Sequence, residues 1–226
     1  MTRRQYITLI SSLPHLDHFE RAERLPITEL RLEQRFAMLE PEDRDQLRRA
    51  RDLVSWEYQP ITRRDEDFAR RYRELMASEL HPELRRFIEY RLEQRTLMVA
   101  LRMRRLGQEA PSIAGPWGVG RWARDLPRRW DRPHFGLAAV HPWLPEAQAC
   151  LEAGDACALE RLLLEDIWKT LETLGEGDPF GFPRVVSYYF RWDVVRRWLS
   201  YEPEMARTRF RELAAEIVST DELPRH

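Results

Sequence analysis

Lysine is nearly missing from this chain: Lys169 is the one lysine among 37 basic residues. Arginine dominance is what base composition of the genome can produce, and it makes almost every cation a planar, permanently charged fork suited to carboxylates. Cysteine is scarce as well. Cys150 and Cys157 make no disulfide scaffold and lack C-x-x-C spacing, so they read as small apolar residues. There is no run of about 20 apolar residues to span a bilayer. The opening MTRRQYITLISSLPH is too short in its apolar part for a secretory leader. A soluble, cytoplasmic protein is expected, one that a membrane complex could still recruit. Net charge is −1, which favours neither nucleic acid nor an anionic surface. Nothing alternates with period two over enough residues to suggest a sheet.

With 226 residues, the chain is long enough to hide roughly 70% of its unfolded surface without staples. Its mean hydropathy of −0.62 is that of a charge-rich globular protein. The stretch from His81 to Gly107 organises the rest. Pro82 suits a first helical turn and Gly107 the left-handed position that closes a helix. Winding the stretch at 3.6 residues per turn puts Leu84, Phe87, Ile88, Leu92, Met98, Val99, Met103 and Leu106 on one side. Arg91, Arg95 and Arg102 fall inside that same arc.

Other helices are predicted on both sides. Tyr6 to Leu13 is too short for periodicity to separate strand from helix. Thr28 can cap a helix bearing Leu32, Phe36 and Leu39, and Pro41 opens one bearing Leu47, Ala50, Leu53 and Val54, stopped at Pro60. Thr62 to Leu80 carries Phe68, Tyr72, Leu75 and Met76 on one face. Residues 108–145 are rich in Gly and Pro and read as a basic connecting segment, with a short helix near Arg121 to Leu126. A short helix from Pro145 ends at Gly154, and Asp155 caps a stronger one to Leu174. Pro183 starts a helix that is apolar nearly all round, which belongs in the middle of a bundle. Pro203 opens the last. The expectation is an all-α bundle: residues 1–107 and 146–226 as helical halves, joined by 108–145.

Residues placed for chemistry are few. His15 and His18 form the one close histidine pair and lack metal-ligand spacing, so no metal is expected. Gly115-Pro116-Trp117-Gly118-Val119-Gly120 matches neither phosphate-binding glycine motif and reads as a turn-rich loop, so no cofactor is expected. No serine or cysteine stands in a nucleophile context, and no enzyme is indicated.

Between Arg102 and His134 eight arginines face three acids, interleaved with Trp117, Trp122 and Trp130. That composition suits stacking on single-stranded nucleic acid. Residues 144–182, however, carry nine acids against Arg161 and Lys169, so internal neutralisation or an acidic protein partner is preferred and no nucleic acid is expected. As partner-contact residues we take Trp117, Arg121, Trp122, Arg124, Arg128, Arg129 and Trp130, because Trp and Arg are favoured interface anchors.

Charges on apolar arcs need partners. Arg91, Arg95 and Arg102 are joined by Glu160 and Arg196 on the later helices. Glu160 is expected to pair with Arg95 or Arg196, locking helices together. The alternative is that the arginines run their aliphatic stems to the edge.

Several of these residues resemble a bacterial family encoded in V-type ATPase operons. Tyr6 to Leu13, closing Ser11-Ser12-Leu13-Pro14, is similar to that family's opening. The long helix, from Phe87-Ile88-Glu89-Tyr90-Arg91-Leu92 to Leu101-Arg102-Met103-Arg104-Arg105-Leu106-Gly107, is similar too. More distantly it resembles helices of the C (d) subunit of V-type ATPases. Further on, the similar positions are Leu159-Glu160, Asp166-Ile167-Trp168, Phe182-Pro183, Tyr189, Arg191, Arg197-Trp198 and Phe210-Arg211-Glu212-Leu213. The ordinary C (d) subunit is longer and built of three related helical units, and this chain has room for fewer. The resemblance implies a non-catalytic subunit or accessory factor of a rotary ATPase, like the socket joining the central shaft to the proteolipid ring. An assembly factor that leaves the complex and a helical nucleic-acid-binding protein are the alternatives.

Overall fold

A computed structural model describes residues 5–55, 65–113, 115 and 117–200. Among these the fold is all-helical, with no strand. The helices are α1 (Ile7–Ser12), α2 (Glu29–Phe36), α3 (Pro41–Val54), α4 (Asp65–Ala77), α5 (Pro82–Arg105), α6 (Leu144–Ala153), α7 (Ala156–Thr173) and α8 (residues 182–200). The Tyr6–Leu13 run is thereby a helix. The stop at Pro60, the helix from Pro203 and the resembling Phe210–Leu213 lie outside the described residues. No helix among the described residues is long and apolar enough to cross a membrane.

Local chemistry sets the helix ends. The Asp155 carboxylate accepts from Ala158 N–H at 2.8 Å, capping α7. Thr28 plays the same part more weakly for α2, accepting from Arg31 N–H at 3.5 Å. At the far end of α5, Gly107 N–H donates to Arg104 C=O and Gln108 N–H to Met103 C=O, both at 3.0 Å. With Gly107 left-handed at φ +68°, this pair of bonds closes the helix and satisfies its last carbonyls.

Burial along α5 changes face, which a single apolar arc does not anticipate. Its first half sends Leu84, Phe87, Ile88 and Leu92 into one core with α1–α4, the second half of α7, and α8. Its second half sends Leu97, Met98, Ala100 and Leu101 into another, built by the Gly/Pro-rich stretch, α6 and Leu159. Val99 and Met103 are only half-buried and Leu106 is 73% exposed. The reason is that residues 117–144 cover the opposite side of the helix.

That covering stretch is built of three 3-10 turns, Arg121–Arg124, Leu126–Arg129 and Pro133–Gly136. They place Leu126, Trp130, Phe135, Leu137 and Trp143 in the second core. His134 and Phe135 adopt positive φ (48° and 56°), an unfavourable conformation for such side chains. It is held by complete burial of the Phe135 ring beneath the Arg104 guanidinium, 4.4 Å from its centroid. The loop before the turns lies against α5. Thr96 Oγ1 donates to Val119 C=O (2.8 Å) and accepts from Val119 N–H (3.1 Å). A Cβ on Gly118 would come within 2.7 Å of Thr96 Cγ2, and one on Gly120 within 3.0 Å of Glu93 Cγ. Both glycines are therefore there so that backbone can touch the helix.

The first core closes around α8, which is buried nearly all round as its apolar circumference requires. Trp192 and Tyr189 are its largest enclosed side chains, and the Trp192 indole donates to Ile27 C=O at 2.9 Å. Tyr6 N–H donates to Phe180 C=O at 2.7 Å, joining the start of the chain to the start of α8. The Tyr6 hydroxyl also donates to the buried Asp43 of α3.

Trp192→Ala is expected to cost about 3–5 kcal/mol through cavity formation and the orphaned Ile27 carbonyl. Thermal or denaturant unfolding of the variant checks this.

An arginine-faced turn segment and an acid-lined cleft

The candidate contact residues divide into two sets. Arg121, Arg124 and Arg128 are exposed. Trp117 and Trp122 are half-buried against the second core and Trp130 is 8% exposed within it, which corrects the expectation of outward-facing tryptophans. Interleaved aromatic and basic residues mean packing here: the 3-10 turns send the rings in and the charges out. The guanidinium groups of Arg121 and Arg129 lie 4.7 and 5.8 Å from the Trp122 ring, covering the side of it that the core leaves. Arg104 leads from the basic stretch toward the acidic one. It donates to Gln148 Oε1 at 2.6 Å, and Gln148 donates to Glu152 at 2.7 Å.

The inward charges are all engaged except where the helix turns them out. Glu160 of α7 is bonded by Arg197 of α8, where Arg95 or Arg196 is expected; Arg197 stands one residue along from the latter. Arg196 instead meets Asp193 at 2.5 Å and Glu29 at 3.3 Å, tying α8 to α2. A step of one residue is about 100° around a helix, enough to exchange one neighbour for another. Arg95 lies 4.2 Å from the Phe68 ring centroid, and Arg91 donates to Gln94 Oε1. Burial pulls the Arg91 pKa below its ordinary value. Arg102 is exposed and is no buried charge, because α5 has passed beyond the first core by that point. Of the histidine pair, His18 makes a 3.0 Å contact with Glu165 through Nε2 and packs edge-on to Trp168. No group of three or more His, Cys, Asp or Glu able to hold a metal ion occurs among the described residues.

A cleft of about 560 Å³ opens between α5, α7, Tyr72 of α4 and the loop before α6. Its acids are Glu89, Glu93 and Asp166, its bases Arg86 and Arg121. Glu93 is 6% exposed and paired with Arg121 at 2.9 Å. Burial raises its pKa, opposed by Arg121. Asp166 accepts at Oδ2 from the Tyr90 hydroxyl and from Gln94 Nε2 (2.9 Å). Burial raises its pKa also, against those two bonds. Burial, then the Asp166 charge, pushes the Tyr90 phenol far above the ordinary range. Tyr72 is raised by burial and then by Glu89 and Glu93. His141 and Trp143 form the opposite wall at 6% and 5% exposure, and neither His141 Nε2 nor Trp143 Nε1 has a hydrogen-bond partner among the described residues. Burial, then the charge of Arg121, lowers the His141 pKa.

Sequence reasoning names Arg121, Tyr90 and Asp166 for other reasons, but it does not bring them together as a cleft. Glu89, Glu93 and Asp166 are lost among carboxylates with arginines three or four residues away. The usable signal is the pair Gly118 and Gly120, which marks close backbone approach and so brings Arg121 onto α5. No protein-family model, curated protein or solved structure matches the chain.

Two outcomes are expected. Burial holds the Glu93 pKa above its unfolded value, so stability present below the ordinary carboxylate range is lost as pH rises from there through the raised value. Glu93→Gln, with no charge to bury, should gain stability relative to the parent between acid and neutral pH, as measured by melting temperature across that range. For the α7–α8 pair, Glu160→Ala and Arg197→Ala should each cost about 1.5 kcal/mol and the double variant less than their sum. A double-mutant cycle in denaturant reads the coupling.

Proposed function

We propose that this chain is a non-catalytic subunit or accessory factor of a bacterial V-type ATPase, akin to the C (d) socket between central shaft and proteolipid ring. One observation carries the reading. Positions that resemble the operon-encoded family lie far apart in sequence, yet they meet in pairs across helices. Tyr90 bonds Asp166 (α5 to α7), Glu160 bonds Arg197 (α7 to α8), and the Arg191 guanidinium lies 5.4 Å from the Trp168 ring. Residues that resemble a family by chance have no reason to be one another's partners. The pairs support a resemblance of folded helices and not only of composition.

The corresponding mechanism is mechanical. A socket must hold its shape under torque, and helices cross-linked by partly buried charge-assisted bonds resist sliding better than apolar contacts alone, since such bonds are directional. The exposed guanidinium groups of Arg124 and Arg128, on a turn segment anchored by Trp130 and Phe135, are the proposed contact with an acidic partner surface. Attachment to the inner membrane would be through that complex.

Affinity purification of the tagged chain from its native host should recover rotor subunits at a fixed stoichiometry. The double charge reversal Arg124→Glu, Arg128→Glu should abolish that recovery with the melting temperature unchanged. Recovery of no ATPase subunit would overturn the reading, and recovery only during assembly would assign the chain to the assembly factors.

A further inference from the structure

We infer that a cavity between α5 and α7, lined by arginines and an apolar surface, binds an anion that carries an aliphatic chain, a long-chain carboxylate or phosphate monoester. The inference is independent of the ATPase reading, since it uses none of the residues of the proposed partner contact.

The cavity measures about 340 Å³, within the roughly 300–1,000 Å³ of ordinary ligand pockets. Its lining is of two kinds. Leu92, Met98, Val99, Leu163 and Ile167 supply an apolar surface, and Val99 of the predicted arc faces this space and belongs to neither core. Arg91, Arg95, Arg102 and Arg197 supply cations, against the single carboxylate of Glu160, which Arg197 already bonds. Methylenes gain by leaving water for such a surface, and the cations select the sign of the group that the chain carries.

Arg91 points to the ligand most directly. It is half-buried and lines the cavity, yet its one side-chain hydrogen bond among the described residues runs from Nη1 to the neutral Oε1 of Gln94. The two carboxylates whose charge reaches it, Asp193 and Glu160, are bonded by Arg196 and Arg197. Burial and the like charge of Arg197 both act against the guanidinium's charge. A cation held out of water calls for a counter-ion. Gln94 is itself fixed, because its Nε2 donates to Asp166 at 2.9 Å, and so it holds the Arg91 fork in one orientation. A fork held by one prong has N–H groups left for a carboxylate or phosphate, whose paired oxygens match its geometry. Arg102 is exposed and its side chain has no hydrogen bond or ion pair among the described residues, so it adds a second available cation.

Titration calorimetry on the full chain, with probes below their micelle concentrations, tests this. Dodecanoate and dodecyl phosphate should bind one-to-one, the tighter of the two identifying the head group. Acetate and dodecyltrimethylammonium should show no saturable binding. Shortening dodecanoate to decanoate should weaken binding roughly tenfold, about threefold to fourfold for each methylene withdrawn from the apolar surface. Arg91→Gln should weaken dodecanoate binding at least about tenfold, the loss of a charge-assisted bond. Arg102→Gln, at an exposed position, should weaken it about threefold. Arg105→Gln, exposed on the same helix and outside the cavity, should leave affinity as it was. If Arg91→Gln melts well below the parent, Arg102→Gln decides. Absence of saturable binding for both anions would overturn the inference. So would equal affinity for the cationic probe, unchanged affinity in the cavity variants, or a loss in Arg105→Gln equal to theirs.

Discussion

Three buried polar side chains at the middle of α5 fix what can pack there. Glu93, Gln94 and Thr96 are all enclosed, and a polar group taken out of water must find a partner inside. Each partner comes from a different part of the chain: Arg121 from the first 3-10 turn, Asp166 from α7, and the Val119 peptide from the glycine loop. Apolar contacts on either side are tolerant of small slips, but these bonds are not. They hold the register of α5 against both of the cores that it enters. The long helix is thus a spine whose centre is polar and whose two ends are apolar on different faces.

The same geometry explains which parts of the fold can be read from residue order. Helix ends are local: Pro82, Gly107, Asp155 and Gly154 act within one turn of where they stand, so the limits of α5, α6 and α7 follow from them. The encircled α8 is legible because an all-round apolar helix leaves one option. The far face of α5 is not, because Leu97, Ala100 and Leu101 are buried by a segment whose many glycines and prolines disguise a folded covering. Trp130 looks like an interface anchor on composition alone and is a core residue. The Glu160 partner is Arg197, neither Arg95 nor Arg196, since pairing across helices depends on rotation about each axis, which spacing along one helix does not give. The cleft is hidden for a related reason: Asp166 and Glu93 become neighbours only once α7 and the glycine loop are docked on opposite sides of one helical turn.

A rigid spine with tied cross-braces would serve the proposed connecting role, and the charges fall into separate sets. Those that brace helices, such as Glu160 with Arg197 and Arg196 with Glu29 and Asp193, are turned inward or lie at the seams. Those on the turn segment point outward from a well-packed base. The cleft differs from both, being concave and lined by the acids Glu89, Glu93 and Asp166.

If α5 is one cooperative spine, its amides must open together. Native-state hydrogen exchange along the helix is the most direct measurement. Residues 87–92 and residues 97–101 are predicted to exchange through the same global unfolding event, with equal opening free energies and equal denaturant dependence. Separate opening of residues 97–101 together with residues 119–137, while residues 87–92 stay protected, would contradict it.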